Sequence, residues 1–177
     1  MIRELPVFVR DEQYRENRGG RYRFTTLDSI TVHLDLPSNT FPDPILFYDK
    51  NGIEWARLVK NKLHIRPHYS WDGCSPKARF TFLWLGTPDP HCTRLASLVH
   101  DVLYQFIATD HFPFSRFQCD AAFYDIMKLS GFLLAGTFHG AVRLWGGLFA
   151  ANQKNSGAWS KVLTPKTKAS TNSDEAA

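Results

Sequence analysis

One histidine, two aspartates and a tyrosine in the middle of the chain have the types and spacing that acid–base chemistry needs. His100 is followed directly by Asp101 and one helical turn later by Tyr104, and Asp120 lies further along the chain. In a helix, His100 and Tyr104 share a face, with Asp101 about 100° round the axis. A histidine that is oriented by one carboxylate and lies beside another can take a proton from water. These residues therefore form a candidate catalytic set.

Two predicted helices would carry these residues. Apolar side chains recur at helical spacing over residues 95–106, which predicts an amphipathic first helix. Ser115 and Gln118 have the spacing of a capping box and predict the start of a second helix, on which Asp120 lies. Because two helices joined by a short loop tend to pack antiparallel, we expect Asp120 to meet His100 across their interface.

The part of the chain before these helices has the signals of β-strands. Residues 30–36 alternate between apolar and polar with a period of two. Segments 45–48 and 53–59 flank the Asn-Gly pair at 51–52, which is typical of a hairpin turn, and 63–66 reads as one further short strand. The sequence therefore predicts an α+β fold, with N-terminal antiparallel strands and hairpins followed by a helical half.

The domain organisation follows from where these signals begin and end. Residues 1–20 are charge-rich without an apolar period, which predicts a solvated N-terminal arm. The segment after residue 151 turns polar and predicts a disordered tail. The predicted division is an arm at 1–20, a single domain at 21–151 (strands in 21–69, a loop at 70–92, helices in 93–151) and a tail at 152–177.

Composition sets limits on the class of protein. A hydrophobic content of 44% in 177 residues predicts a globular domain with a proper core. The net charge of +4 permits a phosphate-bearing partner but gives no specific nucleic-acid signal. Three cysteines and no apolar leader after the first residues favour reduced thiols and no secretory signal. Residues 131–151 are apolar but contain His139 and Arg143, so we expect a buried or partner-facing helix rather than a transmembrane span.

A short loop before the helices has residues that could hold a metal ion. Asp72 and Gly73 form a turn-forming pair, followed by Cys74. Such a loop can turn backbone carbonyls inward and hold a hard cation such as calcium, with a carboxylate completing the shell. An ordinary turn has the same sequence signature, and both interpretations stay open.

Four motifs occur in order along the second half of the chain. They lie at 71–76 (Trp-Asp-Gly-Cys-Ser-Pro), 96–104 (Ala-Ser-Leu-Val-His-Asp-Val-Leu-Tyr), 115–123 and 141–146 (Ala-Val-Arg-Leu-Trp-Gly). Together they resemble an uncharacterised family of small tailed-phage and prophage proteins, over about residues 69–147. The resemblance implies a phage origin, with the host cytoplasm or the virion as the location and other virion proteins as partners. It implies no established activity.

The helix pair carries a second, narrower resemblance. His100-Asp-x-x-Tyr104, followed by Cys119-Asp-x-x-Phe-Tyr-x-x-Met127, is similar to the helix pair of secreted phospholipases A2, especially the short bacterial and fungal type. The resemblance implies a calcium-dependent hydrolase that acts on phospholipid or a membrane surface. It implies His100 as the general base that activates water, oriented by Asp120.

The same resemblance implies roles for the neighbouring residues. Tyr104 would donate a hydrogen bond to Asp120, and Asp101 would bind calcium. The loop of Asp72, Gly73 and Cys74 would lie where that family places its calcium loop. In such a site the calcium ion would polarise the ester carbonyl and stabilise the developing oxyanion.

Two other hypotheses stay open beside the lipid hydrolase. The chain could be a non-enzymatic phage structural or accessory protein in which His100 and Asp120 form a buried polar lock. It could also be a metal phosphohydrolase of the His-Asp type, for which His64, His68 or His91 would have to supply a further ligand. A His100 ring closed off from solvent would favour the structural or accessory protein. Three or more ligands at one metal ion would favour the phosphohydrolase.

Overall fold

The fold is described by a computed structural model over residues 13–17, 22–34, 44–74, 91–152 and 156–163. Two antiparallel sheets, formed by seven strands before three helices and one strand after them, confirm the predicted α+β class. The elements in chain order are β1 (Tyr14–Glu16), β2 (Phe24–Thr26), β3 (Ile30–His33), β4 (Ile45–Tyr48), β5 (Glu54–Val59), β6 (Lys62–Ile65), β7 (Ser70–Trp71), α1 (His91–Phe106), α2 (Arg116–Leu129), α3 (Ala135–Asn152) and β8 (Trp159–Val162).

The larger sheet has the strand order β3-β6-β5-β4-β8, with every neighbouring pair antiparallel. The β4–β5 hairpin turns at the predicted Asn-Gly pair, where Gly52 has a φ of +77°. The Asp49 carboxylate fixes this turn by accepting hydrogen bonds from the backbone N–H groups of Asn51 and Ile53, both at 2.9 Å. One face of the sheet is buried against α1, where the Phe47 ring lies 5.3 Å from the Phe106 ring.

The smaller sheet, in the order β1-β2-β7, is held together by aromatic packing. The rings of Phe24 and Trp71 lie 5.2 Å apart, and Tyr14 meets the Phe24 ring edge-on at 5.8 Å. The Trp71 indole N–H donates to the hydroxyl of Ser97 on α1 at 3.2 Å. Because Trp71 ends β7, this contact holds residues 72–74 beside α1.

Two predictions about the first half of the chain were wrong for the residues that the structure describes. Residues 14–16, within the predicted arm, form β1, because Tyr14 is buried against Phe24. Ser70 and Trp71, placed in a loop, form β7 by pairing with β2. Residues 1–12 and 18–20 of the arm lie outside the described residues.

The predicted tail contains a strand. Trp159–Val162 forms β8 and pairs with β4 at the edge of the larger sheet. The Trp159 ring stacks on the Tyr48 ring at 4.1 Å, and Val162 packs against the hydrophobic core. The prediction of disorder was therefore wrong for these residues, and residues 164–177 lie outside the part that the structure describes.

The helices agree with the sequence patterns. Every residue of the predicted apolar stripe of α1 is buried: Leu95, Leu98, Val99, Val102 and Phe106. Ser115 caps α2, and both hydrogen bonds of the predicted capping box with Gln118 are present. Helix α3 packs on α2 but leaves Leu144 79% exposed. Among the described residues, no helix has both the length and the apolar content needed to cross a membrane.

Candidate functional site

The first two helices pack antiparallel, as the contacts along them show. His100 on α1 has its ring 4.8 Å from that of Phe123, in the second half of α2. Four residues later on α1, the Tyr104 hydroxyl lies 3.3 Å from the Nε of Arg116, at the start of α2. The contacts thus run in opposite directions along the two helices. This arrangement brings Asp120 to His100, as expected from the sequence.

Asp120 is the centre of a buried polar network. Its side chain is 0% exposed. Its Oδ1 lies 3.3 Å from Nε2 of His100 and accepts a hydrogen bond of 2.5 Å from the Tyr104 hydroxyl. Its Oδ2 accepts a hydrogen bond of 3.0 Å from Nη1 of Arg143 and lies 3.7 Å from Nε of Arg116. A buried carboxylate is costly unless it is paired and hydrogen-bonded, and all four neighbours meet that need.

The same contacts set the protonation of the pair. Burial by itself would raise the pKa of Asp120, but hydrogen bonds from His100, Tyr104 and Arg143 outweigh burial and lower the pKa. The carboxylate is therefore ionised and can only accept hydrogen bonds. It follows that Nε2 of His100 carries the proton in this contact. In the neutral ring, Nδ1 then keeps its lone pair, which a general base requires.

The tyrosine in this network is a hydrogen-bond donor and not an acid. Burial and the hydrogen bond to Asp120 raise the pKa of Tyr104 well above its ordinary value of 10.0. Its hydroxyl therefore keeps its proton at any physiological pH. The ring of Tyr104 also lies 4.1 Å from the ring of His100 and restricts its rotation. Tyr104 thus positions both partners of the His100–Asp120 pair.

The His100 ring lies at the edge of the protein interior. Its side chain is 12% exposed, between the rings of Tyr104 and Phe123. None of the described residues makes a hydrogen bond to Nδ1. The pair can therefore hold a water molecule at Nδ1 and remove a proton from it. His100, Tyr104 and Asp120 are thus brought together, and their catalytic roles stay predictions.

Two arginines belong to the site although the sequence analysis did not place them there. Arg143 reaches Asp120 from α3, and Arg116 lies one helical turn before it on α2. Nη2 of Arg116 also donates to the backbone carbonyls of Val142 (at 3.1 Å) and Arg143. These contacts fix α3 against the first two helices. The signal that could have identified Arg143 is its position in an otherwise apolar segment, where a charge needs a partner.

Two consecutive glycines of α3 make room for this network. A Cβ added at Gly146 would lie 2.6 Å from the Tyr104 hydroxyl oxygen, closer than side chains pack. A Cβ at Gly147 would lie 3.0 Å from Nη1 of Arg116. Glycine at these positions therefore allows the backbone of α3 to approach the polar groups of α1 and α2. The pair of glycines was visible in the sequence, but its purpose depends on the packing of three helices.

The predicted metal loop lies beside Asp101. The backbone N–H of Asp72 points to Oδ2 of Asp101 at 3.4 Å, and Sγ of Cys74 lies 3.6 Å from the Thr93 carbonyl oxygen. The loop is thus near the carboxylate that the resemblance assigns to calcium. It directs a hydrogen-bond donor at that oxygen, however, whereas a calcium ion needs oxygen ligands.

The side chains of the described residues do not cluster into a metal site. Among them, no three or more histidine, cysteine, aspartate or glutamate side chains lie close enough to hold a metal ion. Calcium binding by Asp101 and the Asp72–Cys74 loop would depend mainly on backbone carbonyls and stays a prediction, and residues 75–90 after the loop lie outside the described residues. His64 does not converge on His100 either, since it lies on β6 with Nδ1 2.9 Å from the Thr31 hydroxyl.

Comparison with known proteins gives no family for this chain. No protein-family model matches it, and neither curated proteins nor solved structures provide a match. What the chain does must therefore be inferred from its own residues. Among those described, His100, Tyr104, Asp120 and Arg143 are the group whose geometry is specific enough to support chemistry.

Proposed function

We propose that this chain is a phospholipase A2-like hydrolase of lipid acyl esters, with His100 as the general base. The observation that carries the proposal is the 3.3 Å contact between Nε2 of His100 and the buried Asp120. This contact holds the ring in one tautomer and leaves Nδ1 without a hydrogen bond from the described residues. Ring exposure of 12% lets water reach the site while the carboxylate behind it stays dry.

The proposed reaction uses the histidine twice. A water molecule held at Nδ1 of His100 gives up a proton to the ring as its oxygen bonds to the ester carbonyl carbon. The tetrahedral intermediate then breaks its bond to the alcohol oxygen, which takes the same proton from the ring. The products are a free fatty acid and the alcohol. Asp120 stabilises the positively charged ring between the two steps, and Tyr104 and Arg143 hold Asp120 in place.

Calcium is the ion that the resemblance implies for this reaction. When bound, it would supply Lewis-acid polarisation of the ester carbonyl. The proton transfers above run from water to His100 and from His100 to the leaving alcohol oxygen, and Asp120 only stabilises the charged ring. Calcium dependence is part of the proposal, and comparing the assay with calcium and with a chelator tests it. A phage origin is proposed on the four sequence motifs, with the host membrane as the source of lipid.

A second candidate function is supported by a different observation. Asp120 is fully buried and has four donors or cations around it on three helices, which is more than a catalytic carboxylate needs. A fully satisfied buried network can serve to fix helix packing alone. The alternative is therefore a non-enzymatic phage structural or accessory protein, with other virion proteins as partners and His100 as part of a polar lock.

Release of fatty acid from labelled phospholipid vesicles tests the two candidates against each other. The proteins to compare are the native chain, His100→Ala and the control His111→Ala, each with calcium and with a chelator. The His111 side chain is a fair control because it is exposed, and it is the backbone N–H of His111 that makes a hydrogen bond, to Ser160. Circular dichroism and thermal unfolding establish that all three proteins are folded.

The hydrolase proposal predicts release by the native chain and by His111→Ala. It predicts that His100→Ala loses roughly a hundredfold or more of the rate, which is the usual contribution of a general base. If the folded native chain and both variants release no fatty acid in either condition, the hydrolase proposal is wrong. A loss of thermal stability confined to His100→Ala would then support the polar lock.

A further inference from the structure

The larger sheet has a second face that is turned away from the helices. Two observations identify it. The Ser160 hydroxyl on β8 accepts a hydrogen bond from the backbone of His111 on the helical side, so its neighbours Trp159 and Lys161 point the other way. On β5, Ala56 and Leu58 are buried while Arg57 between them is exposed. We call this surface, on β3, β6, β5, β4 and β8, the outer sheet face.

Cationic side chains collect on the outer sheet face. Arg57 on β5 lies directly opposite His64 on β6, and Lys62 lies two residues before His64. Leu46 on β4 pairs with both Arg57 and Lys161, so Lys161 adds a cation on β8 on the other side of this buried leucine. Glu54 pairs with Arg57 at 2.7 Å, and the cations of this face outnumber that carboxylate.

The cations are close enough to affect one another. The pKa of His64 is lowered by partial burial and then by the charges of Arg57 and Lys62. His64 is therefore less readily charged than a free histidine, and Arg57 and Lys62 carry the positive charge in this part of the face. Arg57, His64 and Arg66 also line a cleft of 670 Å³ together with Trp55, which is within the usual range for a ligand site.

Aromatic rings complete this surface. Trp159 is 43% exposed, and its ring is held in place by stacking on the Tyr48 ring at 4.1 Å. Trp55, in the cleft, has its indole N–H fixed by the Asp49 carboxylate at 3.1 Å. An exposed ring such as Trp159 beside cations is the combination that binds single-stranded nucleic acids, because bases stack on the ring while the phosphates pair with the cations.

We propose that the outer sheet face binds single-stranded nucleic acid. The phosphates would lie along Arg57, Lys62, Arg66 and Lys161, and a base would stack on Trp159. The proposal does not depend on the hydrolase, because the His100 site lies among the helices on the other side of the sheet. The sequence alone gave no specific prediction of nucleic-acid binding. These cations are spread over three strands and come onto one face only when the sheet forms.

Fluorescence anisotropy of a labelled oligothymidylate of about 16 nucleotides tests this proposal. Two pairs of charge-matched variants are compared over about 50 to 200 mM salt. The first pair is Lys62→Gln with Lys161→Gln, two exposed cations of the outer sheet face. The control pair is Arg15→Gln with Lys128→Gln, which are exposed on β1 and α2. Both lower the net charge equally, so non-specific attraction changes by the same amount.

We expect the control pair to lose only the non-specific attraction that both pairs lose, and to keep the salt slope of the native chain. The Lys62 and Lys161 pair should bind roughly tenfold or more weakly, with a salt slope lower by about 1.4, since each lost phosphate contact removes about 0.7. Trp159→Leu should bind at least about fivefold more weakly at unchanged slope, because it removes one stacked base.

Three results would overturn the proposal. One is no binding by the native chain at the lowest salt. Another is an equal loss of affinity in both charge pairs, which would show attraction without a site. The third is binding of anionic phospholipid vesicles through Lys62 and Lys161 when the oligonucleotide does not bind, which would assign the outer sheet face to a membrane.

Discussion

The substitution Gly146→Ala tests whether the three helices meet around Asp120 as described. The added methyl group would lie 2.6 Å from the Tyr104 hydroxyl oxygen and 3.3 Å from the ring carbon that bears it. The hydroxyl cannot retreat freely, because it donates to Asp120 at 2.5 Å and accepts from Arg116 at 3.3 Å. Either α3 shifts away or the hydrogen bond to the carboxylate breaks.

The size of the effect follows from these alternatives. Overpacking costs about 1–3 kcal/mol, and a hydrogen bond to a charged group is worth about 1.5–3 kcal/mol. Replacing glycine by alanine in a helix returns about 1 kcal/mol through backbone entropy. The variant should therefore lose up to about 2 kcal/mol in its free energy of unfolding, measured by urea titration with circular dichroism.

The same helix provides a matched control. A Cβ at Gly140 would meet nothing within 4 Å, so Gly140→Ala carries the helix-propensity gain without the clash. It should stabilise the protein by about 0.5–1 kcal/mol. Opposite signs for Gly140→Ala and Gly146→Ala are the expected result. If Gly146→Ala were as stabilising as Gly140→Ala, α3 would not lie against Tyr104 and the described network would be incorrect.

Two further predictions concern buried groups of α2. Asp120→Asn should destabilise the protein by about 2–4 kcal/mol near neutral pH, since it leaves Arg143 without its carboxylate in a half-exposed position. Because the pKa of Asp120 is lowered from 3.8, its stabilisation is complete above that pH and is lost as the pH falls through the lower folded value. Urea titrations should thus show the gap between native and variant closing below about pH 4, and a constant gap would contradict the lowered pKa. Burial and the Asp120 charge raise the pKa of the Cys119 thiol to about 12, so Cys119 should not react with a disulfide reagent before unfolding. The partly exposed Cys74 and Cys92 should react, and three fast thiols in the native protein would refute the burial of Cys119.

The elements with strong local signals could be predicted from the sequence. The hairpin at the Asn-Gly pair, the apolar stripe of α1 and the capping box at Ser115 depend on residues close together in the chain, and all three are present. Strands β1 and β8 were missed because each is only three or four residues long and depends on contacts with distant parts of the chain, such as Tyr14 on Phe24 and Trp159 on Tyr48. Such contacts are made across the fold and leave no periodic pattern in the sequence.

The candidate site likewise has one part that could be predicted from the sequence and one part that could not. The meeting of His100 and Asp120 follows from helical phase and antiparallel packing, which the sequence contains. The pairing of Arg143 with Asp120 depends on where α3 returns to the first two helices, and the turn between α2 and α3 decides that position. The outer sheet face could not be predicted from the sequence either. Arg57 and Lys161 are on the same face only because both strands pair with β4 at Leu46.

The tautomer of the His100 ring tests the central claim most directly. Long-range ¹H–¹⁵N correlation spectra of the histidine rings, with His100→Ala for assignment, distinguish which nitrogen carries the proton in the neutral ring. We predict a proton on Nε2, donated to Asp120, and a lone pair on Nδ1, together with loss of this preference in Asp120→Asn. A proton on Nδ1 would leave no base facing water, and would contradict the assignment of His100 as a general base.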